Sequence, residues 1–220
     1  MIAVTAFLLA FPSLFSIINP IGGALIFNSV TRDFAPADKL LLAQRIGIYA
    51  LLVMLGALWG GAYVLNFFGV TLGALRIAGG AVVALSAWDL LMTRDRHEEG
   101  RHREGEAAAQ TDASPLDVAF FPLTMPLTTG PGTIAVAITL GAERPASGIG
   151  LIAFFLGVSV AAGVNAALVW IAYRSAERLN GWLGTSARTV VAPLMAFLLL
   201  CIGVQILVTG VGDMVAGWHA

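Results

Sequence analysis

Six apolar segments, each long enough to cross a lipid bilayer, most constrain what this chain can fold into. They cover residues 3–30, 42–68, 71–92, 116–140, 149–173 and 189–211. A hydrocarbon core of about 30 Å requires roughly 20 apolar residues in a helix. Hydrophobic residues make up 58% of the chain and charged residues only 11%, whereas soluble domains carry about 25% charged residues. The segments therefore predict an all-α polytopic membrane protein with six transmembrane helices.

Basic residues are distributed unevenly among the loops between these segments. Ten of the twelve lie in or beside the first, third and fifth loops, while Arg144 is alone in the fourth loop and Arg76 lies within the third segment. Cytoplasmic loops are enriched in Lys and Arg. We therefore expect a cell inner membrane protein whose odd-numbered loops are cytoplasmic and whose two termini are outside, on the periplasmic side.

The longest polar stretch, residues 93–115, contains a run of charged residues without apolar periodicity, which is typical of a solvated linker. We predict that it is a cytoplasmic loop within a single transmembrane domain, residues 1–220, and that it joins the halves 1–92 and 116–220. Three spans in each half place the two halves in opposite orientations. Such inverted three-helix repeats are a recurring plan of transporters.

Two of the apolar segments contain residues that interrupt a helix. The first carries Asn-Pro-Ile-Gly-Gly at residues 19–23, and the fourth carries Thr-Thr-Gly-Pro-Gly-Thr at residues 128–133. Proline lacks a backbone donor and glycine weakens a helix, so spans one and four are predicted to be broken there. Each break could be a simple kink between packed helices, but a matched pair in two halves favours a binding site near the membrane midplane.

A broken helix offers free amide groups to a carboxylate and free carbonyl groups to an ammonium group or a cation. Glycines permit a close approach, and Asn and Thr side chains add hydrogen-bonding groups. The threonines could instead bond the carbonyl one turn back and only bend the helix. The predicted substrate-binding residues are Asn19, Pro20, Gly22, Gly23, Thr128, Thr129, Gly130, Pro131, Gly132 and Thr133.

Two charged residues of the third segment are predicted as gate or coupling residues. Arg76, five residues into the segment, either serves as a gate or carboxylate partner or extends its side chain to the bilayer surface. Asp89, near the other end, is the best candidate for protonation. No acidic residue lies deep in any segment, so the sequence does not reveal how a proton or sodium ion would be coupled.

Several other functions are excluded by the sequence. A net charge of −1 provides no field that would attract nucleic acid. The single cysteine, Cys201, cannot cycle as a dithiol. His97 and His102 are one residue too far apart for the zinc-protease motif, and no histidine lies in a span to activate a serine. We therefore expect neither an enzyme nor a metal or cofactor, and the expected partners are a small solute and the lipid bilayer.

Three motifs together resemble those of the MarC family of integral membrane proteins. They are Asn-Pro-Ile-Gly at residues 19–22, Leu-Arg-Ile-Ala-Gly-Gly at 75–80 and Pro-Leu-x-x-Gly-Pro-Gly at 126–132, and the resemblance covers nearly the whole chain. It implies a transporter fold in which spans one and four are broken near the midplane around a small neutral amino acid such as glycine or alanine.

The chain departs from that family pattern in the sixth span. Pro193 and Ala196 stand where an Arg and a Gly would mirror Arg76 and Gly79. Two other functions remain open at this point: an exporter of another small metabolite, and a membrane scaffold that transports nothing. Ligand-dependent stabilisation would separate them, because a carrier binds its solute and a scaffold does not.

Overall fold

The computed structural model describes residues 1–32, 34–92, 119–145 and 148–218, and within these ranges the chain is almost entirely helical. The predicted cytoplasmic loop 93–115 therefore lies outside the described residues. In chain order the helices are α1 (Ile2–Ile18), α2 (Pro20–Val30), α3 (Pro36–Phe68), α4 (Leu72–Met92), π1 (Ala119–Thr128), α5 (Pro131–Ala142), α6 (Ile149–Arg174) and α7 (Ala176–Trp218).

Four stretches of helix in the described ranges are long and apolar enough to cross a membrane. They are Ile2–Asn28, Pro36–Phe68, Ile149–Arg174 and Ala196–Ala216. The predicted third and fourth spans contain the shorter apolar helices Leu72–Leu85 and Pro131–Ala142. The all-helical class is confirmed, and the six-span arrangement stays a prediction.

The first interruption is an ordered turn at the residue where the sequence predicts it. Asn19 ends α1 and has left-handed backbone angles, φ 45° and ψ 68°, which Asn tolerates better than most side chains. Its Oδ1 accepts a hydrogen bond of 3.1 Å from the amide of Gly22, so that Asn19 also caps α2. Pro20, which has no amide hydrogen, begins α2 at a position where none is needed.

The second interruption lies between π1 and α5. Pro122 and Pro126 each remove a backbone donor from π1, and proline disturbs the regular four-residue bonding of an α-helix. Gly130 is extended, with φ −72° and ψ 178°, and α5 begins at Pro131. The predicted break is therefore present, although the helix before it is a π-helix, which the sequence analysis did not predict.

Threonine hydroxyls in and next to π1 donate hydrogen bonds to backbone carbonyls of π1. The Oγ1 atoms of Thr124, Thr128 and Thr129 each donate to the carbonyl five residues earlier, over 2.7, 2.8 and 3.2 Å. These hydroxyls thus bond the backbone of their own segment, one wide turn back. The backbone-bonding alternative for the threonines is the one that this conformation adopts.

Helices α4 and α7 form the most extensive helix pair in the described part of the chain. Their glycines let the two backbones meet directly, as small residues do in membrane bundles. A Cβ placed on Gly80 would lie 2.5 Å from the amide nitrogen of Leu207, and one on Gly203 would lie 2.5 Å from that of Ala84. Glycines on both helices therefore allow the backbones of α4 and α7 to pack in direct contact.

The remaining helices pack around α6 and α3. Helix α6 contacts α1 and α3, and α3 contacts α5. Their shared core contains the fully buried side chains of Leu14, Met54, Leu58, Val158 and Val169. This packing brings α1 and α5 beside the α4–α7 pair.

Two helix boundaries differ from the sequence prediction. Helix α3 begins at Pro36, and α7 begins at Ala176, so both helices extend into stretches that the hydropathy pattern places between spans. Hydropathy marks where apolar residues end, whereas a helix continues into water as long as its backbone bonds form. Glu177 in the first turn of α7 favours this extension through the helix dipole, and it binds Lys39 of α3 at 2.8 Å.

Candidate functional site

A cavity of about 500 Å³ lies between α1, α4, α5 and α7, within the size range of ligand pockets. Its apolar lining comes from Leu9, Pro12, Ile17, Val136, Leu140, Ile202 and Ile206. Its polar lining comes from Ser13, Ser16, Arg76, Thr139, Glu143, Gln205 and Thr209. The mixture of aliphatic surface and hydrogen-bonding groups suits a small solute together with water.

The two interrupted helices each contribute one half to the cavity wall. Helix α1 precedes the first interruption and α5 follows the second. Ser16 and Ile17, just before Asn19, belong to the lining, and Val136 belongs to it one to two turns after Pro131. The lining thus approaches both interruptions without including any of the ten predicted binding residues.

Arg76 links three helices at the cavity. Its Nη2 lies 3.3 Å from Oε1 of Glu143 at the end of α5, and its Nη1 makes a short contact with the carboxylate of Asp213 on α7. The arginine side chain is 16% exposed. Arg76 therefore lies in the cavity lining with two acidic partners, and its role as a gate stays a prediction.

Tyr173 of α6 joins the two interruptions, and the sequence analysis missed it. Its hydroxyl lies 2.8 Å from Oγ1 of Thr128, and a Cβ on Gly23 would lie 2.5 Å from the same hydroxyl. The ring is 2% exposed and stacks on Phe27 with centroids 4.9 Å apart. A tyrosine at the end of an apolar segment is typical of a membrane interface, so no local signal indicated this contact.

The other predicted binding residues range from buried to exposed: Asn19, Gly22 and Gly130 are partly buried and Pro131 is exposed. Thr129 and Thr133 are buried. A Cβ on Gly132 would lie 2.0 Å from Cγ2 of Val83, and a Cβ on Gly22 would meet the side chain of Asn19. The glycines therefore serve close helix packing here, and the side chain of the predicted coupling residue Asp89 lies outside the described part of the structure.

Asn165 provides a second polar link between helices. It is fully buried in α6, and its Nδ2 donates to the carbonyl of Ala161 at 2.9 Å and to that of Phe11 in α1 at 3.3 Å. Among the described residues its Oδ1 has no hydrogen-bond partner. The contact fixes α6 to α1 beside Pro12, which lines the cavity.

Replacing Thr128 with valine should lower the free energy of unfolding by about 1–3 kcal/mol, because the Tyr173 hydroxyl is left buried without its acceptor. Thr5→Val is the matched control, since the Thr5 hydroxyl is exposed and bonds only within its own helix. Thermal unfolding in detergent measures both. Equal shifts for the two variants would contradict a role for Thr128 in joining the interruptions.

The sequence model of the MarC family of integral membrane proteins matches residues 4–215. The chain belongs to this family. The resemblance noted from its motifs is thereby confirmed over almost the whole chain. No solved structure matches.

Individual MarC relatives agree in length as well as in sequence. UPF0056 membrane protein MJ1677 of Methanocaldococcus jannaschii is 35% identical over 207 residues, which are 93% of this chain and 95% of the relative. UPF0056 inner membrane protein MarC of Citrobacter koseri is 30% identical over 91% of each chain, and that of Salmonella typhimurium is 29% identical over the same shares. This MarC-family chain is therefore an integral membrane protein, and the names of these relatives state no substrate.

Proposed function

We propose that this MarC-family protein is a secondary transporter that carries a small neutral amino acid, similar in size to glycine or alanine, across the inner membrane by alternating access. The observation that carries the proposal is the placement of the cavity. One half of each interrupted helix, α1 and α5, forms its wall, whereas the other halves, α2 and π1, close together on Tyr173. The cavity therefore lies on one side of the two interruptions, and packed side chains occupy the other side.

Six spans in two inverted halves would account for the pattern of helix contacts. Helix α4 pairs with α7 and α3 pairs with α6, while span one (α1 and α2) contacts α6 as span four (π1 and α5) contacts α3. A two-fold axis relating spans one to three with spans four to six produces these pairs. With the orientation inferred from the basic residues, the cavity opens to the outside and Tyr173 closes the cytoplasmic side.

Ser16, just before the first interruption, offers one polar group that could receive the ammonium group of a zwitterion. Pro20 has no amide hydrogen, so the carbonyl of Ser16 lacks its usual helical donor, and Ser16 lines the cavity. A free carbonyl accepts a hydrogen bond from an ammonium group. In the proposed cycle the Gly/Pro interruptions act as hinges, and the closed Tyr173 side opens when the cavity closes.

The transport proposal is tested first with purified full-length protein. A thermal-shift series with glycine, alanine, serine, threonine and larger amino acids is expected to show stabilisation by the small neutral ones alone, because ligand binding to the native state raises its stability. Reconstituted vesicles should then exchange labelled glycine or alanine for the unlabelled compound.

Imposed proton and sodium gradients would identify the coupling ion. An exporter of another metabolite would show neither effect with amino acids but would respond to a different solute. A membrane scaffold would respond to none, and folded protein without any ligand-dependent shift or exchange would reject the transport proposal.

A further inference from the structure

We propose that Arg76, Glu143 and Asp213 form an exchangeable ionic gate that selects zwitterions, an inference that rests on the proposed transport function. In this gate the carboxylate of the solute replaces Glu143 on the guanidinium of Arg76, while the ammonium group of the solute replaces the guanidinium at Glu143. The Arg76–Asp213 contact stays in place. Arg76 and Glu143 then act as the residues that determine substrate class.

The geometry of the cluster distinguishes its two acidic partners. Arg76 and Glu143 both line the cavity, and Asp213 does not. Asp213 pairs with Nη1, whereas Glu143 contacts Nη2 at 3.3 Å. The Glu143 side chain is 52% exposed and that of Asp213 is 41% exposed, so the two acids differ mainly in whether they line the cavity. The Nη2 edge of the guanidinium is therefore the one that an incoming carboxylate can take.

Charge balance explains why a zwitterion suits this exchange. A simple anion at Arg76 would separate Glu143 from its arginine, and the carboxylate of Glu143, which is 52% exposed, would then be paired with water alone. A simple cation at Glu143 would leave one edge of the Arg76 guanidinium without its acceptor. A zwitterion compensates both groups at once, and the planar guanidinium offers a carboxylate two parallel donors.

Other residues that line the cavity with Arg76 and Glu143 suit the side chain of a small amino acid. Thr139 lies one turn before Glu143 on the same face of α5 and lines the cavity. Its Oγ1 is buried and has no hydrogen-bond partner among the described residues. Leu140 and Ile206 present aliphatic surface nearby, which suits a small apolar side chain.

A purely structural ion cluster makes a different prediction. If the three residues only hold α4, α5 and α7 together, removing a charge lowers stability without changing which ligands bind. Exposed ion pairs contribute little to stability, and Asp213 would still pair with Arg76 in the absence of Glu143. Ligand preference, rather than stability, therefore separates the two roles.

The experiment measures calorimetric affinities of wild-type protein for glycine and for glycinamide and acetate, each of which lacks one of the two charged groups of glycine. Glycine should bind at least about ten-fold more tightly than either analogue, and each ten-fold step corresponds to about 1.4 kcal/mol. Glu143→Gln should weaken glycine binding about ten-fold and reduce its preference over acetate. Arg76→Lys, which keeps the charge and loses the planar fork, should weaken glycine and acetate alike.

Matched controls are available in the same chain. Arg144→Gln removes the neighbouring arginine, whose guanidinium lies over the ring of Tyr63 and does not line the cavity. Glu177→Gln removes an acid that pairs with Lys39. Both controls should bind glycine as the wild-type protein does.

Two results would overturn this gate while leaving the transport proposal intact. One is wild-type glycine affinity in both Glu143→Gln and Arg76→Lys. The other is acetate or glycinamide binding to the wild-type protein as tightly as glycine. In contrast, folded wild-type protein that binds no small amino acid at all would reject the transport function itself, and the gate with it.

Discussion

Gly203→Ala is expected to lower the free energy of unfolding by about 2–3 kcal/mol or to prevent folding, because it overpacks an interface that has no room. The new Cβ would lie 2.5 Å from the amide nitrogen and 2.9 Å from the Cα of Ala84. Both are backbone atoms inside α4, so no side-chain rotation relieves the contact. Only separation of α4 from α7 would do so, and Gly80→Ala should have the same effect from the opposite helix.

Gly56→Ala is the matched control for this prediction. Among the described residues, no atom outside the adjoining backbone of α3 lies within 4 Å of a Cβ at Gly56, and alanine is favoured over glycine inside a helix by about 1 kcal/mol. The control should therefore keep or raise the unfolding temperature in detergent, while the Gly203 and Gly80 variants lower it. If all three variants unfold at the same temperature, the backbone contact between α4 and α7 is not what stabilises this pair.

Asn19→Val should abolish transport and lower the free energy of unfolding by about 2–4 kcal/mol. A β-branched residue in the left-handed region costs about 1–3 kcal/mol, and loss of the side-chain cap on α2 costs about 1 kcal/mol more. The strain can be relieved if residue 19 returns to helical angles, but the turn between α1 and α2 is then lost. The orientation of α1 along the cavity wall would change with it.

Asn19→Gly provides the control for the backbone conformation. Glycine adopts left-handed angles without strain, and as an N-cap it costs only a few tenths of a kcal/mol relative to Asn. Stability and vesicle exchange of labelled substrate should therefore stay close to wild type in this variant. Full activity in Asn19→Val would show that transport does not depend on the turn at residue 19.

The features that the sequence predicted correctly have local causes. Asn19-Pro20 and Gly130-Pro131 interrupt their helices because proline lacks a donor and because Asn and Gly accept unusual backbone conformations. Both effects act within a few residues, so they can be inferred without knowing what packs nearby. The apolar segments predicted an all-helical membrane protein for the same reason.

The features that the sequence did not reveal depend on distant partners. Tyr173 and Thr128 are 45 residues apart, and Arg76 is 67 residues from Glu143 and 137 from Asp213. Nothing next to these residues indicates which one meets which. Likewise, Gly132 was predicted to let a ligand approach the backbone, but in the structure Val83 of α4 packs against it. A glycine accommodates a ligand or a neighbouring helix equally well, so its presence does not indicate which one it contacts.

The backbone interlock of α4 and α7 also determines what can move. Helix α4 belongs to residues 1–92 and α7 to residues 116–220, yet Gly80, Gly203 and Gly210 fix the two helices to each other. In the proposed transport cycle we expect them to move as one body, so that the two moving parts would not be the two sequence halves. The expected boundary follows the cavity, between the α4–α7 pair and α1, and each half of the chain contributes one helix to that pair.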